Sequence, residues 1–271
     1  MAEIGFGHQD GVTRLTHLYQ RDPLRVLFPT PDAGDPASAV IVTTSGGLVA
    51  GDRLDIAVRL APEAVVHVTA SAAEKIYRSI GPTTTVYQSL VIAAGSALEF
   101  LPPETILFDG ARLRRETVVE LGAGAGFLGG DIVVFGRRAR GERFTNGFLR
   151  DVWEVQREGK LVWGDALHLE GDIARIIDDP TCFAGAAAFA TLILAPPRQD
   201  PRSLLDCARA IQSAGAASTL RTGVTAMTGV IVARWLAADA ADLRRAYAAL
   251  AGHFRHAAMG LPPVLPRIWH G

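Results

Sequence analysis

A regular alternation of short apolar runs and turn residues dominates the chain from Val40 to about residue 195. Gly, Pro or a charged residue interrupts the β-branched and aromatic runs at a spacing of roughly eight to twelve residues. This rhythm predicts a mainly β protein built as a sandwich, a barrel or a coiled sheet of many short strands. Self-similarity at a period of roughly 20 to 50 residues is not visible, which disfavours a propeller.

The apolar runs give specific strand predictions. Two lie before the long β-rich stretch, and the others follow one another through it. In chain order the predicted strands are Val12–Tyr19, Leu24–Phe28, Val40–Thr44, Leu54–Leu60, Ala64–Thr69, Thr84–Ala93, Ala97–Leu101, Thr105–Phe108, Glu116–Leu121, Phe127–Phe135, Phe148–Gln156, Lys160–His168 and Gly185–Leu194.

The character of the sequence changes after Ala195-Pro196-Pro197. Apolar residues at helical spacing predict a helix at Ser203–Ser213, with Ser203 as its N-cap. A strand pair, Ala217–Leu220 and Val224–Trp235, is expected next. We therefore expect one domain over residues 1–271, with a β-rich part (1–195) and a helix-containing part (196–271).

A second helix is predicted at Asp239–Ala258. Asp239 is the expected N-cap, and Gly260 with Pro262 ends the helix. The local patterns thus predict a mainly β fold of many short strands with two α-helices in the C-terminal third, and they leave sandwich, barrel and coiled sheet open.

Composition and charge exclude several classes of function. Apolar residues make up 49% and charged residues 20% of the 271 residues, as in a globular protein. The formal net charge of −1 gives no bulk attraction to nucleic acid or anionic lipid. Cys182 and Cys207 lack metal-site spacing and are expected to be buried free thiols of a reducing compartment. Neither a signal peptide nor an apolar run of about 18 residues is visible, so we expect a cytoplasmic protein and no membrane partner.

A glycine-rich turn follows the run at Val40–Thr44. It contains Gly46, Gly47 and Gly51 and is followed at once by Asp52. Glycines in this number fit backbone with positive φ or close approach, and an Asp beside such a turn can accept hydrogen bonds from freed amides. On pattern alone this is either a turn that joins two strands or the start of a functional site.

Nucleotide and metal motifs give little support to an enzyme. The segment Gly124-Ala-Gly126-Phe-Leu-Gly129 matches GxGxxG, but a strand follows it where a dinucleotide site needs a helix. A P-loop, HExxH and a nucleophile elbow are absent from the sequence. His253 and His256 could face one metal, but solvated side chains near a helix C-terminus are the favoured interpretation.

Acidic residues that interrupt apolar runs form the remaining candidate chemistry. Carboxylates in such positions are unfavourable unless they are paired or hydrated. One interpretation pairs them with basic residues, and the other is a wet, acid-lined path that a divalent cation could follow without tight binding. The acids are Asp52, Glu74, Glu99, Glu104, Asp131 and Glu142, and the basic candidates are Lys75, Arg78, Arg137, Arg138 and Arg143.

Six segments follow one another along the chain: Arg25-Val-Leu-Phe-Pro29, Gly46-Gly-Leu-Val-Ala-Gly-Asp52-Arg-Leu, residues 69–78, Leu98-Glu-Phe-Leu-Pro-Pro-Glu-Thr-Ile-Leu-Phe108, Phe135-Gly-Arg137 with Arg140-Gly-Glu-Arg-Phe144, and Pro266-Arg-Ile-Trp269. Taken in this order, they resemble those of the urease accessory protein UreD (UreH) family. The resemblance runs from about Arg14 to the C-terminus. Four positions depart from the family segments: Ala70, Glu74, Phe100 and Pro103 stand where Thr, Thr, Trp and Gln are usual.

The resemblance implies a coiled sheet of many short strands with two α-helices in the C-terminal third. It also implies a non-enzymatic urease maturation factor. Such a protein binds UreF, which recruits the GTPase UreG, and the assembly docks on apo-urease for nickel insertion, with UreE as the nickel donor. It holds no tightly bound cofactor, but Ni²⁺ could pass along an internal path. On this basis the candidate nickel contacts are Asp52, Glu104, Asp131 and Glu142.

The two helices and the C-terminal tail are the expected UreF-facing surface, because amphipathic helices and an exposed terminal aromatic are good anchors for a partner. The alternative is that their apolar faces cover the sheet. The candidate anchors are Leu243, Tyr247, Phe254 and Trp269. A competing hypothesis of another class is a β-rich enzyme with an active site around Asp52, Lys75 and Tyr77.

Overall fold

The computed structural model describes residues 1–197, 200–214 and 220–270. Within these residues the strands form one sheet of seven strands and one of ten. The seven-stranded sheet has the order β14-β13-β11-β8-β5-β1-β2. Its strands are β1 (Ala2–Gln9), β2 (Val12–Gln20), β5 (Arg53–Leu60), β8 (Thr84–Ile92), β11 (Arg112–Leu121), β13 (Phe148–Arg157) and β14 (Lys160–Glu170).

The ten-stranded sheet has the main order β16-β17-β15-β12-β9-β6-β4-β3, with β10 beside β12 and β7 beside β10. Its strands are β3 (Leu24–Leu27), β4 (Ala37–Thr43), β6 (Val65–Ala70), β7 (Glu74–Ile76), β9 (Ala97–Phe100), β10 (Thr105–Leu107), β12 (Gly126–Phe135), β15 (Ala188–Ala195), β16 (Leu220–Met227) and β17 (Val230–Ala237).

The chain coils between the two sheets. Strands β5, β8, β11 and β13 are parallel neighbours in one sheet, and β4, β6, β9 and β12 are parallel neighbours in the other. Each turn of the coil therefore adds a strand to both sheets. The predicted mainly β, coiled-sheet fold is confirmed.

Burial follows from this coil. Strand β5 alternates exposed or half-buried residues with buried ones, because one of its faces packs on the core between the sheets. Every residue of β12 is buried. One face of β12 lies on the core between the sheets, and the other lies under the C-terminal helices.

The helices are α1 (Ile173–Asp178), α2 (Leu205–Ala214) and α3 (Ala240–Met259). Asp239 caps α3 by accepting hydrogen bonds from the amides of Ala241 and Asp242, at 2.7 and 3.1 Å. Gly260 ends α3 in the left-handed conformation, at φ 69°. The predicted position and both caps of this helix are confirmed.

The start of the other predicted helix was wrong. Asp200 precedes a 3₁₀ turn at Pro201–Leu204, and its carboxylate accepts a hydrogen bond from the Arg202 amide at 3.0 Å. Ser203 therefore lies inside this turn and does not cap α2. Pro201 at the first position favours helix entry at this point.

One predicted strand also needs correction, and one strand was not predicted. The single strand predicted at Val224–Trp235 is a hairpin of β16 and β17, because Gly229 turns the chain at φ 85°. Residues 217–219 of the predicted strand Ala217–Leu220 lie outside the described residues. Strand β1 was not predicted, since Gly5 and Gly7 interrupt its pattern. A Cβ at either glycine would lie 2.9 Å from a side-chain carbon of β2, so close strand pairing requires them.

The short elements α1 and β7 and the exposure of the two cysteines also differ from the predictions. The short helix α1 and strand β7 were not predicted as regular structure. Cys182 and Cys207 are exposed free thiols, so the expectation that they are buried was wrong. None of the described helices is long and apolar enough to cross a membrane.

Candidate functional site

Positive φ values at three glycines and one side-chain hydrogen bond shape the glycine turn between β4 and β5. Gly46, Gly47 and Gly51 have φ values of 73°, 146° and 82°, so all three use backbone that other residues rarely adopt. The Asp52 carboxylate accepts a hydrogen bond from the Val49 amide at 2.8 Å. The predicted positive φ values and the predicted role of Asp52 in the turn are confirmed.

The same turn pairs with the segment around β7. The Leu48 amide donates to the Lys75 carbonyl at 2.7 Å, and the Tyr77 amide donates to the Leu48 carbonyl at 2.9 Å. A Cβ on Gly47 would lie 2.5 Å from Tyr77 Cε2 and 2.9 Å from the Lys75 carbonyl oxygen. Gly47 is therefore required because the two segments approach so closely.

Aromatic contacts extend this contact region to two further segments. The Tyr77 hydroxyl donates to the Gly46 carbonyl at 3.2 Å, and its ring meets Phe108 edge-on with centroids 4.9 Å apart. The Arg137 guanidinium carbon lies 4.2 Å from the centroid of the Phe108 ring, a cation–π geometry. We call Gly46, Gly47, Tyr77, Phe108 and Arg137 the glycine-turn surface.

Glu142 fixes the arginine of this surface. It accepts from Arg137 Nε at 3.1 Å and from the backbone amides of Arg137 and Asp109, each at 3.3 Å. Its hydrogen bond with Arg137 lowers the pKa of Glu142, although partial burial opposes the shift. Glu142 is thus an ionised partner of Arg137, and their ion pair is one that the sequence predicted.

An interior polar cluster lies between the sheets. The Arg115 guanidinium on β11 contacts the carboxylates of Asp131 and Asp151, and Nη1 donates to Thr105 Oγ1 at 3.0 Å. Burial raises the pKa of Asp131 against the effect of Arg115, with Asp151 adding to the rise, whereas Arg115 outweighs burial and lowers the pKa of Asp151. One cation therefore serves two carboxylates, and Asp131 is the one that more readily holds a proton.

Glu74 lies at an interior cavity of about 70 Å³, which is lined by residues of both sheets. Its carboxylate accepts a hydrogen bond from Thr43 Oγ1 at 2.5 Å. Burial raises the pKa of Glu74 and outweighs the hydrogen bond from Thr43 and the effects of Lys75, which lower it, while the nearby Asp52 charge adds slightly to the rise. Arg115 lines the same cavity.

Glu104 and Glu99 connect the outer face of the ten-stranded sheet to α3. Glu104 accepts two hydrogen bonds from Arg244 Nη1, at 3.2 and 3.1 Å. Glu99 accepts from Arg255 Nε and Nη2, at 2.8 and 3.1 Å, and from His67 Nδ1 at 3.0 Å. These contacts hold the helix on the sheet.

The predicted nickel contacts do not meet at one point. Glu104, Asp131 and Glu142 are each bound by a different arginine, and Asp52 closes its own turn. Among the described residues there is no group of three or more His, Cys, Asp or Glu side chains that could hold a metal ion. Nickel contact by these four acids stays a prediction.

The predicted partner anchors pack inside the chain. Leu243, Tyr247, Phe254 and Trp269 are all at most 1% exposed. The Trp269 indole donates to the Leu101 carbonyl at 3.0 Å and its ring stacks on Tyr247. The expectation that Trp269 is exposed was therefore wrong, because it completes the cluster that covers the sheet. Partner binding by the outer surface of this region stays a prediction.

In the part of the chain that the structure describes, no hydrogen bond or ion pair joins Asp52, Lys75 and Tyr77 to one another. Asp52 and Tyr77 both bond to backbone groups of the glycine turn, and Lys75 is exposed on β7. The ring of Tyr77 packs edge-on against the ring of Phe108. The three residues thus stabilise or flank one turn.

Sequence reasoning missed Arg115, Asp151, Arg244 and Arg255. Arg115 had a usable signal, because Leu113, Arg115 and Thr117 alternate into the buried face of β11. The predicted strand Glu116–Leu121 began too late to include it. The partners of Arg244 and Arg255 are 140 and 156 residues away in sequence, so local patterns carry no signal for them.

Comparison with known proteins decides the family. A family model described as UreD urease accessory protein matches residues 1–270. The chain belongs to the UreD family. A urease accessory protein UreD from Magnetococcus marinus is 44% identical over 268 residues, which cover 98% of this chain and 92% of that protein. A UreD from a Methylobacterium species is 41% identical, with 96% and 89% covered, and one from Rhodopseudomonas palustris is 38% identical, with 99% and 90% covered.

The four departures from the UreD family segments lie together in the structure. Ala70, Glu74, Phe100 and Pro103 all line the interior cavity. Phe100 is 2% exposed and packs in the core between the sheets. The four positions thus line one cavity, although they are spread over two sequence segments.

Proposed function

We propose that this chain is a scaffold in urease maturation and does not itself catalyse a reaction. It joins UreF, and through UreF the GTPase UreG, to apo-urease, and it assists the insertion of nickel into the urease active site. The observation that carries the proposal is the UreD family match over residues 1–270, together with relatives named as urease accessory proteins.

Two further features support a role in assembly. The glycine-turn surface brings separate sequence segments into one contact region, which suits a rigid docking surface better than a pocket for a small substrate. The free thiols of Cys182 and Cys207 are exposed, which suits a reducing compartment, and we place the action of the protein in the cytoplasm.

Nickel transit is a separate part of the proposal. Asp52, Glu104, Asp131 and Glu142 are the predicted contacts, but a cation that reaches the last three must compete with a guanidinium. Glu74 faces the interior cavity, and no ion pair with arginine engages it within the described residues. We therefore add Glu74 as the first nickel contact of an interior route, with UreE as the indirect source of the nickel.

Co-expression tests the assembly role. Urease subunits, UreF, UreG and UreE are produced with and without this chain in nickel-containing medium, and urease activity and nickel content are measured. We expect both to fall to background when the chain is omitted. Full activity without the chain, or failure of the chain to co-purify with any of these proteins, would exclude the proposal.

Variants separate nickel transit from assembly. Glu74→Gln, Asp52→Ala and Glu142→Ala are tested for complex formation and for nickel content of the product urease. A lower nickel content at unchanged complex formation supports transit. Nickel content equal to that of the parent for every variant would exclude contact at these acids and leave the scaffold role intact.

A further inference from the structure

A groove of about 570 Å³ lies between the loop after β12, strand β10 and the start of α3. Its floor is apolar and includes Ile106, Val134 and Ala240. Arg138 and Arg140, on the 3₁₀ turn at Arg138–Arg140, line one wall. We call this feature the arginine groove.

The acidic side chains at the arginine groove are already engaged. Glu104 is bound by Arg244, and Asp239 accepts the hydrogen bonds that cap α3. Glu142, which follows the turn, is bound by Arg137. None of these carboxylates is therefore free to neutralise a further cation.

The carboxylates named above do not balance the positive charges of Arg138 and Arg140. Both side chains are exposed, and neither forms an ion pair within residues 1–197, 200–214 and 220–270. A guanidinium has donors arranged as a fork that matches a carboxylate. Two such groups beside an apolar floor form a surface complementary to a chain segment that has both carboxylates and small apolar side chains.

We propose that the arginine groove binds an acidic segment of a partner protein, with Arg138 and Arg140 contacting its carboxylates and the apolar floor receiving its short aliphatic side chains. The inference rests on the proposed function, because it names the chemistry of one contact within the maturation complex.

Three observations favour a protein segment over other anions. The first amides of α3 are capped by Asp239, so they do not form a cradle for free phosphate. The whole chain has a net charge of −1, so it provides no net electrostatic attraction to nucleic acid. The apolar floor adds contact area that a small inorganic ion would not use.

Charge reversal tests the groove. The full-length variant R138E/R140E is compared with the matched double reversal R59E/K160E, which changes two exposed residues of the seven-stranded sheet. Binding to immobilised UreF–UreG complex and to apo-urease is measured at low and high salt. For at least one of these partners we expect R138E/R140E to raise Kd about tenfold or more, and the control to change Kd less than about twofold.

Charge-preserving variants identify the contact. R138K/R140K keeps both positive charges and provides amines for carbodiimide coupling in the assembled complex. We expect zero-length cross-links from the introduced lysines to Asp or Glu residues of a partner, with an affinity between that of the parent and that of R138E/R140E, because lysine keeps the charge but not the guanidinium fork. Circular dichroism of each variant confirms that the fold is unchanged.

The outcomes separate the groove from the proposed function. If the parent protein supports urease maturation but R138E/R140E binds every partner as tightly as the parent and no cross-links form, the groove proposal is overturned alone. Competition of the parent complex by RNA or inorganic phosphate at matched ionic strength, without partner cross-links, would also overturn it. If the parent binds no partner at all, the proposed function itself fails.

Discussion

Arg255 on α3 binds Glu99 on β9 through two hydrogen bonds, although 156 residues separate them in sequence. Both side chains are at most 1% exposed. The same guanidinium reaches Asp35 at 3.0 Å, and Glu99 also accepts from His67. Burial opposes ionisation of Glu99, but His67 and Arg255 outweigh it and lower its pKa. This ion pair fastens the C-terminal helix to the centre of the coiled sheet.

Removal of the arginine should destabilise the protein strongly. Arg255→Met leaves the buried carboxylate of Glu99 without its arginine partner, and we expect a loss of about 3–5 kcal/mol in the free energy of unfolding. Urea denaturation measures this loss. Arg245→Met is the control, because its ion pair with Asp242 lies on an exposed face of the same helix and should contribute less than about 1 kcal/mol. Equal losses for the two variants would contradict the role assigned to Arg255.

The raised pKa of Glu74 in the cavity predicts how the stability of the protein depends on pH. Because the pKa of Glu74 is raised in the folded state, folding is favoured by its protonated form, and its contribution to stability declines as pH rises from the ordinary Glu value of about 4.3 through the folded value. Glu74→Gln should therefore gain stability relative to the parent as pH rises. Denaturation across this range, with the exposed Glu154→Gln as control, measures the difference. If the parent instead becomes more stable relative to Glu74→Gln as pH rises, a cation must stabilise the carboxylate.

Neighbouring glycines of the turn should differ in their tolerance of a methyl group. Gly47→Ala combines a φ of 146° with a clash against Tyr77 and the Lys75 carbonyl, and we expect a loss of about 2–4 kcal/mol. A Cβ on Gly46 meets nothing within 4 Å, so Gly46→Ala should lose only about 1 kcal/mol from its positive φ. Thermal unfolding compares the pair. A smaller loss at Gly47 than at Gly46 would show that the turn does not need this close approach.

The buried Trp269 in the C-terminal tail should stabilise the isolated chain. Trp269 contacts Tyr247, the Leu101 carbonyl and Arg244, whose guanidinium carbon lies 4.5 Å from the indole centroid. We expect Trp269→Ala to lose about 3–5 kcal/mol in the isolated chain. Chemical denaturation without partners measures this loss. Unchanged stability of the isolated chain with weakened UreF binding would instead support the role of Trp269 as a partner anchor.

The fold was predictable where local patterns decide it. The alternation in β5 and the capping residues of α3 act over short distances, so the sequence indicates them directly. Strand β1 was not predicted because Gly5 and Gly7 weaken the local strand signal. These glycines are needed because β2 approaches β1 closely. Strand β7 is three residues long and is fixed by its neighbour β10.

The site was less predictable because its charges are matched across the fold. Arg137 and Glu142 are close in sequence, and their ion pair was one of the predicted alternatives. Asp131 and Arg115 come together only because β11 and β12 belong to different sheets whose inner faces meet. Burial of Trp269 likewise depends on the return of the tail over the ten-stranded sheet, which no local pattern near the C-terminus records.

The most direct test of the central claim is reconstitution from purified components. Nickel-free urease, UreF, UreG, GTP, bicarbonate and nickel are combined with and without this chain, and the appearance of urease activity is followed over time. We predict activation that requires the chain and, in its presence, depends on GTP. Activation at the same rate and to the same extent in its absence would contradict a maturation role for this protein.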